Sequence, residues 1–392
     1  MKFDTAIIGA SSSGLYAAQL LAQGGQQVAV FERNAELAPS RRTLIVTPEL
    51  SRVIHLPEAH VLHRIGRMAI VTAKKSVSIE LREPDLIVER SRFSHLLRER
   101  AEQTGVNLYL GHRFQTIETH PMGAVIHFRT DDGETVQVIA EAVVGADGVF
   151  SNVARAVGIR REPTVPILQA EVELPKGWNP NITQCWFDAD DSRFFYWLIP
   201  ESDGRGVVGL VGDRQGETRY LLKRFLERNG FTPLAYQSAQ VAMYHPRLRP
   251  WTKVGSVPVY LVGDAAGHVK VTTVGGTVSG LLGAKAAAHA LLRNTSYACE
   301  LRTLKRELDL HWLIRALMDR LDNRGYDSLV SAVTPRIQSF LSQYNRDAMA
   351  GVFWQLFLEP KLISAGLRCL VPRSPRRARY ASSARLDTNG VE

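Results

Sequence analysis

The chain has 392 residues, enough for two interleaved units, each with a core of its own. Apolar residues make up 45% and charged residues 22%, and the longest apolar runs, such as 254–262, are broken by Gly or Pro well short of a membrane span. The net charge of +9 is weighted to the C-terminus by Arg368, Arg373, Arg376, Arg377, Arg379 and Arg385, and the absence of basic residues interleaved with aromatic ones argues against a nucleic-acid partner.

Residues 2–33 read as strand, Gly-rich turn, helix and strand: DTAIIG, SSSGLYAAQLLAQGG, QQVAVFER. A strand this early leaves no room for a signal peptide, and the chain reads as cytoplasmic. Gly9, Ser11, Ser13 and Gly14 occupy the frame of G-x-G-x-x-G, with Ser11 at the second Gly. Gly9 allows the tight turn, Gly14 lets helix and strand approach, and the helix N-terminus can face a pyrophosphate. A plain serine N-cap would look similar. Glu32, with Arg33 beside it, ends the second strand, where a carboxylate can accept from both hydroxyls of an adenosine ribose. These elements do not separate NAD from FAD.

Residues 93–104 have helical spacing up to Gly105, and 107–118, 124–130 and 136–148 read as strands, with Asp132-Gly133 a hairpin signal. Gly145-Ala146-Asp147-Gly148 closes one of these strands and opens a helix. Short alternating runs over 165–212 predict an antiparallel sheet. Val262-Gly263-Asp264-Ala265-Ala266-Gly267 again follows an apolar strand and places a carboxylate at a sheet's carboxyl edge. Asp264 is thus a candidate acceptor for a ribityl hydroxyl, and a helix beginning near Gly275, Gly276 and Thr277 would aim its N–H groups at a flavin pyrimidine ring. The three turns in this order point to non-covalently bound FAD.

The fold class expected is α/β: a Rossmann-type FAD-binding domain with an inserted antiparallel sheet and a C-terminal helical region. Its boundaries are 1–160 and 255–295 for the FAD part, with part of 50–85 peripheral. The sheet domain takes 161–254, the helical region 296–371, and a basic, disordered tail 372–392. Within 352–371, an apolar run is interrupted by Glu359, Pro360, Lys361 and Arg368 and followed by arginines, a pattern suited to peripheral contact with an anionic bilayer.

These residues resemble the FAD-dependent group of p-hydroxybenzoate hydroxylase and the geranylgeranyl reductases over most of residues 1–300. The resemblance implies nucleotide contacts at Asp147 and Gly148, at Arg90 before Phe93, at the backbone near Phe114, and at Asp264 and Gly267. The stretch from Gly263 to Thr277 is similar to the reductases' G-D-A-A-G-x-x-x-P-T-T-G-G-G, with Val271 for Pro and Val274 for the first Gly. Phe195-Tyr196-Trp197-Leu198-Ile199-Pro200 is similar to the reductases' Y-x-W-x-F-P and equally to the halogenases' W-x-W-x-I-P. The Cys-Gly-Gly segment of several archaeal reductases is absent; Pro39-Ser40-Arg41-Arg42-Thr43 stands there, and Arg41 and Arg42 either meet flavin phosphates or form a solvated loop.

The resemblance implies reduction of carbon–carbon double bonds in a hydrophobic or prenyl lipid substrate, with electrons from NAD(P)H or a ferredoxin-type donor. Trp186, Phe195, Trp197 and Ile199 are candidates to line the apolar cavity such a substrate needs, or else simply fill a core. His268 and Lys270 are the candidate proton relays. A flavin monooxygenase or halogenase acting on an aromatic compound is the alternative, and an electron carrier or quinone-linked dehydrogenase a third reading. Cys185, Cys299 and Cys369 are scattered and odd in number, which speaks against an in-chain cluster, a disulfide framework or a metal site.

Overall fold

The computed structural model describes residues 1–37, 42–213, 215–343 and 345–350. The expectations for Pro39, Ser40 and Arg41, for the bilayer-contacting run 352–371, and for the tail with Cys369 before it lie outside the described residues. Two eight-stranded sheets and ten helices make up what is described. In chain order the elements are β1 (Lys2–Ile8), α1 (Ser12–Gln23), β2 (Val28–Phe31), β3 (Thr43–Val46), α2 (Glu49–Val53), β4 (Val61–Val71), β5 (Ser76–Glu89) and α3 (Arg90–Gln103). Then come β6 (Asn107–Tyr109), β7 (His112–His120), β8 (Gly123–Thr130), β9 (Thr135–Gly145), α4 (Asn152–Ala156), β10 (Thr164–Glu173), β11 (Ile182–Trp186), β12 (Tyr196–Pro200) and β13 (Arg205–Val211). The rest are α5 (Gln215–Asn229), β14 (Thr232–Ala242), β15 (Trp251–Val254), β16 (Val257–Leu261), α6 (Thr277–Leu292), α7 (Tyr297–Glu300), α8 (Arg302–Met318), α9 (Asn323–Ser331) and α10 (Pro335–Gln343).

The first sheet runs β15-β16-β9-β1-β2-β6, and β8 joins β7 to β9. The pairs β16–β9, β9–β1, β1–β2 and β2–β6 are all parallel. Their residues (AVVG in β9, TAII in β1, VAVF in β2) are apolar runs rather than alternating ones, as a sheet covered on both faces requires. One face packs on α1, α3 and α6 through Leu15, Leu21, Phe93, Leu97 and Leu281; the other holds Phe31, Phe114, Phe128 and Val259. Because the strands are parallel, the turns after β1, β9 and β16 emerge at one edge.

The second sheet runs β14-β10-β13-β12-β11-β4-β5-β3, antiparallel except where β11 meets β4. Part of 50–85 is expected at the periphery of the FAD part; instead these residues supply β4 and most of β5 to this second sheet, and β3 closes its edge. The cause is non-local: β4 finds its other partner in β11, across a separation that no local pattern reports. α5 covers one face, with Tyr196 stacked on Phe225 at 4.1 Å. The opposite face is turned toward the turns of the first sheet, since Val274 and Met243 pack there against Phe194, Phe195 and Val211.

Candidate functional site

Three turns converge because glycines let them. Gly9 has φ +103, and a Cβ on it would stand 2.4 Å from the Ala146 carbonyl oxygen; one on Gly14 would stand 2.2 Å from the Gly9 carbonyl oxygen. Ser13 is wedged against the third turn, its hydroxyl 2.8 Å from where a Cβ on Gly263 would be and 2.6 Å from that on Gly280. The Ser13 side chain therefore packs α1 against α6 and is not turned to a ligand; its backbone N–H stays in the first turn of α1, where intrahelical partners are lacking. Ser11 is the N-cap of that helix, accepting from the Gly14 N–H at 3.2 Å.

Glu32 ends β2 half-buried and accepts from the Ala10 N–H at 2.9 Å and the Asn34 N–H at 3.0 Å. It thus fixes the Gly-rich turn, and its remaining lone pairs are available to ribose hydroxyls. Arg33 is exposed beside it. Phe114 has its ring in the core, edge-on to Phe128, so only its backbone can meet a ligand. Asp147 caps α4 through Oδ2, taking the Asn152 and Val153 N–H groups at 2.7 and 3.1 Å, while its Oδ1 is buried without a partner. Burial raises the Asp147 carboxyl, and the Ser151 and backbone donors oppose this. Gly148 follows at φ +82 with nothing within 4 Å of a would-be Cβ.

Asp264 is exposed by surface area yet closely surrounded by protein atoms, as a carboxylate in an open crevice would be. That crowding raises its carboxyl, and nearby Arg90 pulls it back. Its Oδ1 lies 3.2 Å from where a Cβ on Gly276 would stand, immediately before Thr277 opens α6. Gly267 turns the chain at φ +69. Arg42, for which the sequence leaves a flavin-phosphate contact or a solvated loop open, lies against the second sheet: its Nη2 donates to the Ser238 carbonyl at 3.2 Å, its Nε is buried without a partner, and burial and Arg90 lower it. A glycine cradle, an exposed acceptor at Asp264 and the open first turn of α1 together fit a dinucleotide with a ribityl chain and diphosphate.

The two relay candidates fare differently. His268 is buried, its Nδ1 unpartnered and 2.0 Å from where a Cβ on Gly283 would be, and desolvation pushes it down to about 3. With the ring packed on α6 and Nδ1 facing no hydrogen-bond partner, the geometry gives the relay expectation for His268 no support. Lys270 is also buried, but its ammonium is ion-paired with Asp347.

His268 makes a pH prediction. Its folded value lies below the ordinary 6.5, so its contribution to stability is present above that pH and is lost as pH falls toward 3. The stability of the chain is expected to fall by about 1.4 kcal/mol per pH unit from this group alone. Denaturant unfolding of wild type and His268→Leu across that window checks it: the variant's slope is expected to be shallower by one proton, and equal slopes would mean that the native ring is charged.

Of the four cavity candidates, three share a face. Phe195, just before β12, and Trp197 and Ile199 on it alternate toward Val274 and the Ile65–Ile87 cluster. Trp186 does not: it faces α5, edge-on to Phe225 at 5.2 Å, and is removed from the cavity set. The residue of β11 on the right face is its neighbour Cys185, paired in register with Trp197 and with Ile70 of β4. Burial pushes the Cys185 thiol up to about 11. Trp197 is half-buried and lies over Gly209, whose would-be Cβ would stand 2.1 Å from the indole. Further along the same face a cavity of about 250 Å³ is lined by Met68, Ile70, Ile79, Leu81, Phe340 and the Arg346–Asp85 pair. The sequence offered no signal for the part that residues 345–350 play here.

Comparison with known proteins gives a consistent result. Residues 2–293 match the FAD binding domain family. The chain is 30% identical over 297 residues to digeranylgeranylglycerophospholipid reductase 2 of Methanothermobacter thermautotrophicus, covering 70% of this chain and 74% of that protein. A solved geranylgeranyl bacteriochlorophyll reductase-like protein from Thermoplasma acidophilum superposes with a TM-score of 0.79 at 18% identity, over 94% of this chain and 99% of its own. A flavin-dependent halogenase, CmlS, superposes with a TM-score of 0.66 at 18% identity, over 93% of this chain and 72% of its own.

Proposed function

The chain belongs to the FAD-binding-domain family as a geranylgeranyl reductase-like FAD-dependent oxidoreductase, and we propose that it reduces carbon–carbon double bonds of a prenyl lipid of geranylgeranyl type. Bound FAD, reduced by NAD(P)H or a ferredoxin-type donor, supplies the hydride. The chain's own task is to hold a long apolar substrate beside the Gly275–Gly276 turn and to keep water away from it.

The observation that carries this reading is the half-buried indole of Trp197 on its Gly209 shelf, among buried Phe195 and Ile199. An apolar ring left partly open on the face turned to Val274 suits contact with a prenyl chain. The cavity beyond Cys185, on the same strand register, adds Met68, Ile70, Ile79 and Leu81 to that wall, beside the charged Arg52, Arg82 and Glu83.

Trp197→Ala is expected to lower turnover of prenyl lipids about ten-fold or more by loosening substrate orientation, with FAD content unchanged. Trp186→Ala is expected to cost about 3 kcal/mol of stability through its lost packing on α5, with turnover per folded molecule retained. Steady-state assays beside thermal unfolding separate the two. Equal loss of turnover in both variants would remove Trp197 from the substrate wall.

A further inference from the structure

The turn that leads into α6 is strained. Val274 has φ +55, a left-handed conformation that a β-branched side chain adopts only when its surroundings impose it. The turn closes on Lys270: the Lys270 N–H donates to the Gly275 carbonyl at 3.1 Å, and the Thr273 and Val274 N–H groups donate to the Lys270 carbonyl at 3.2 and 2.8 Å. The Lys270 Nζ lies 3.9 Å from where a Cβ on Gly275 would stand. Both the backbone and the charge of this turn therefore depend on where Lys270 is held.

What holds it comes from the far end of the described chain. The Lys270 ammonium pairs with Asp347, whose other oxygen accepts from the Thr47 hydroxyl at 2.6 Å. Arg346 donates to Asp85 of β5 at 2.6 Å, and its carbonyl lies 3.2 Å from His311 Nε2. His311 Nδ1 is 2.5 Å from the Thr272 hydroxyl of the same turn. The N–H groups of Met349 and Ala350 each donate to Glu307 of α8 at 2.7 Å. Residues 345–350 thus tie the second sheet, α8 and the strained turn together at buried points.

We propose that Asp347 is a positioning residue for the flavin: through Lys270 it holds the strained 270–275 turn in the shape that α6 needs to face FAD. Removing its charge takes the ion-pair partner from buried Lys270, and the turn relaxes away from the left-handed Val274. A glycine at 274 would hold that conformation without strain and make the turn independent of the clamp. This inference requires only FAD binding and not the prenyl substrate, so the two readings fail separately.

The test uses full-length holoenzyme and reads FAD release and flavin fluorescence. Asp347→Asn is expected to speed FAD release about ten-fold and to raise the fluorescence of the bound flavin, because a buried charge has lost its partner. Thr47→Val, which loosens Asp347 but keeps its charge, is expected to move both readouts the same way by less. Adding Val274→Gly to either variant is expected to return both readouts to within about two-fold of the natural chain. Unchanged release in Asp347→Asn, or loss that Val274→Gly does not restore, overturns the proposal. If Asp347→Asn does not fold, the Thr47→Val pair decides by the same criterion.

Discussion

Gly9→Ala is expected to cost the chain about 2 to 4 kcal/mol of stability and most of its FAD, from left-handed strain and overpacking combined. The new Cβ would stand 2.4 Å from the Ala146 carbonyl oxygen and 2.6 Å from its carbon, both backbone atoms of the second turn. Neither can give way without parting β1 from β9, which are in parallel register as far as Ile8 and Gly145. Gly25→Ala is the control. Its φ of +89 is similarly strained, but nothing lies within 4 Å, so it should cost only about 1 kcal/mol. Urea unfolding of both variants without added FAD separates conformational strain from packing, and equal costs would mean that the contact with Ala146 is not what requires glycine.

The second large effect is at Asp264. With its carboxylate open to the crevice and no hydrogen-bond donor to it among the described residues, replacement by Ala removes little from the folded protein. On the proposed placement of Asp264 against the ribityl chain, it does remove a charge-assisted acceptor, worth about 1.5 to 3 kcal/mol. FAD binding to the apoprotein is therefore expected to weaken roughly ten- to a hundred-fold. Asp264→Asn keeps an acceptor without the charge and should fall between. Titration by flavin fluorescence measures all three, and wild-type affinity in a folded Asp264→Ala chain would displace the carboxylate from the flavin site.

The parts legible in the sequence were those where the backbone demands a particular residue. Gly9, Gly14 and Gly267 are needed for conformation or close approach, and the acidic Glu32 and Asp264 stand at strand ends where a parallel sheet presents its ligands. What was not legible depended on register or on distance along the chain. Trp186 and Cys185 are neighbours on one strand, and a shift of one residue decides which faces the cavity; β12 and β4 set that register. His268 belongs to the recognisable motif, but its fate is set by Gly283 of α6, which leaves room for the ring. The clamp could not be read at all, since Lys270 and Asp347 are 77 positions apart and Asp85 and Arg346 are 261. Such pairs leave no periodic trace.

Whether the apolar face beside the 270–276 turn serves a prenyl chain is tested most directly by the product. Enzyme carrying dithionite-reduced FAD, held without oxygen and given a geranylgeranyl lipid, is expected to yield products heavier by two hydrogen atoms for each bond reduced. A monooxygenase or halogenase would instead need oxygen and would add an oxygen or halogen atom to an aromatic compound. Mass spectra of both substrate classes, with and without oxygen, distinguish these outcomes. Anaerobic gain of hydrogen by the prenyl lipid is the result expected here. An untouched prenyl lipid beside oxygen-dependent modification of the aromatic compound would contradict it.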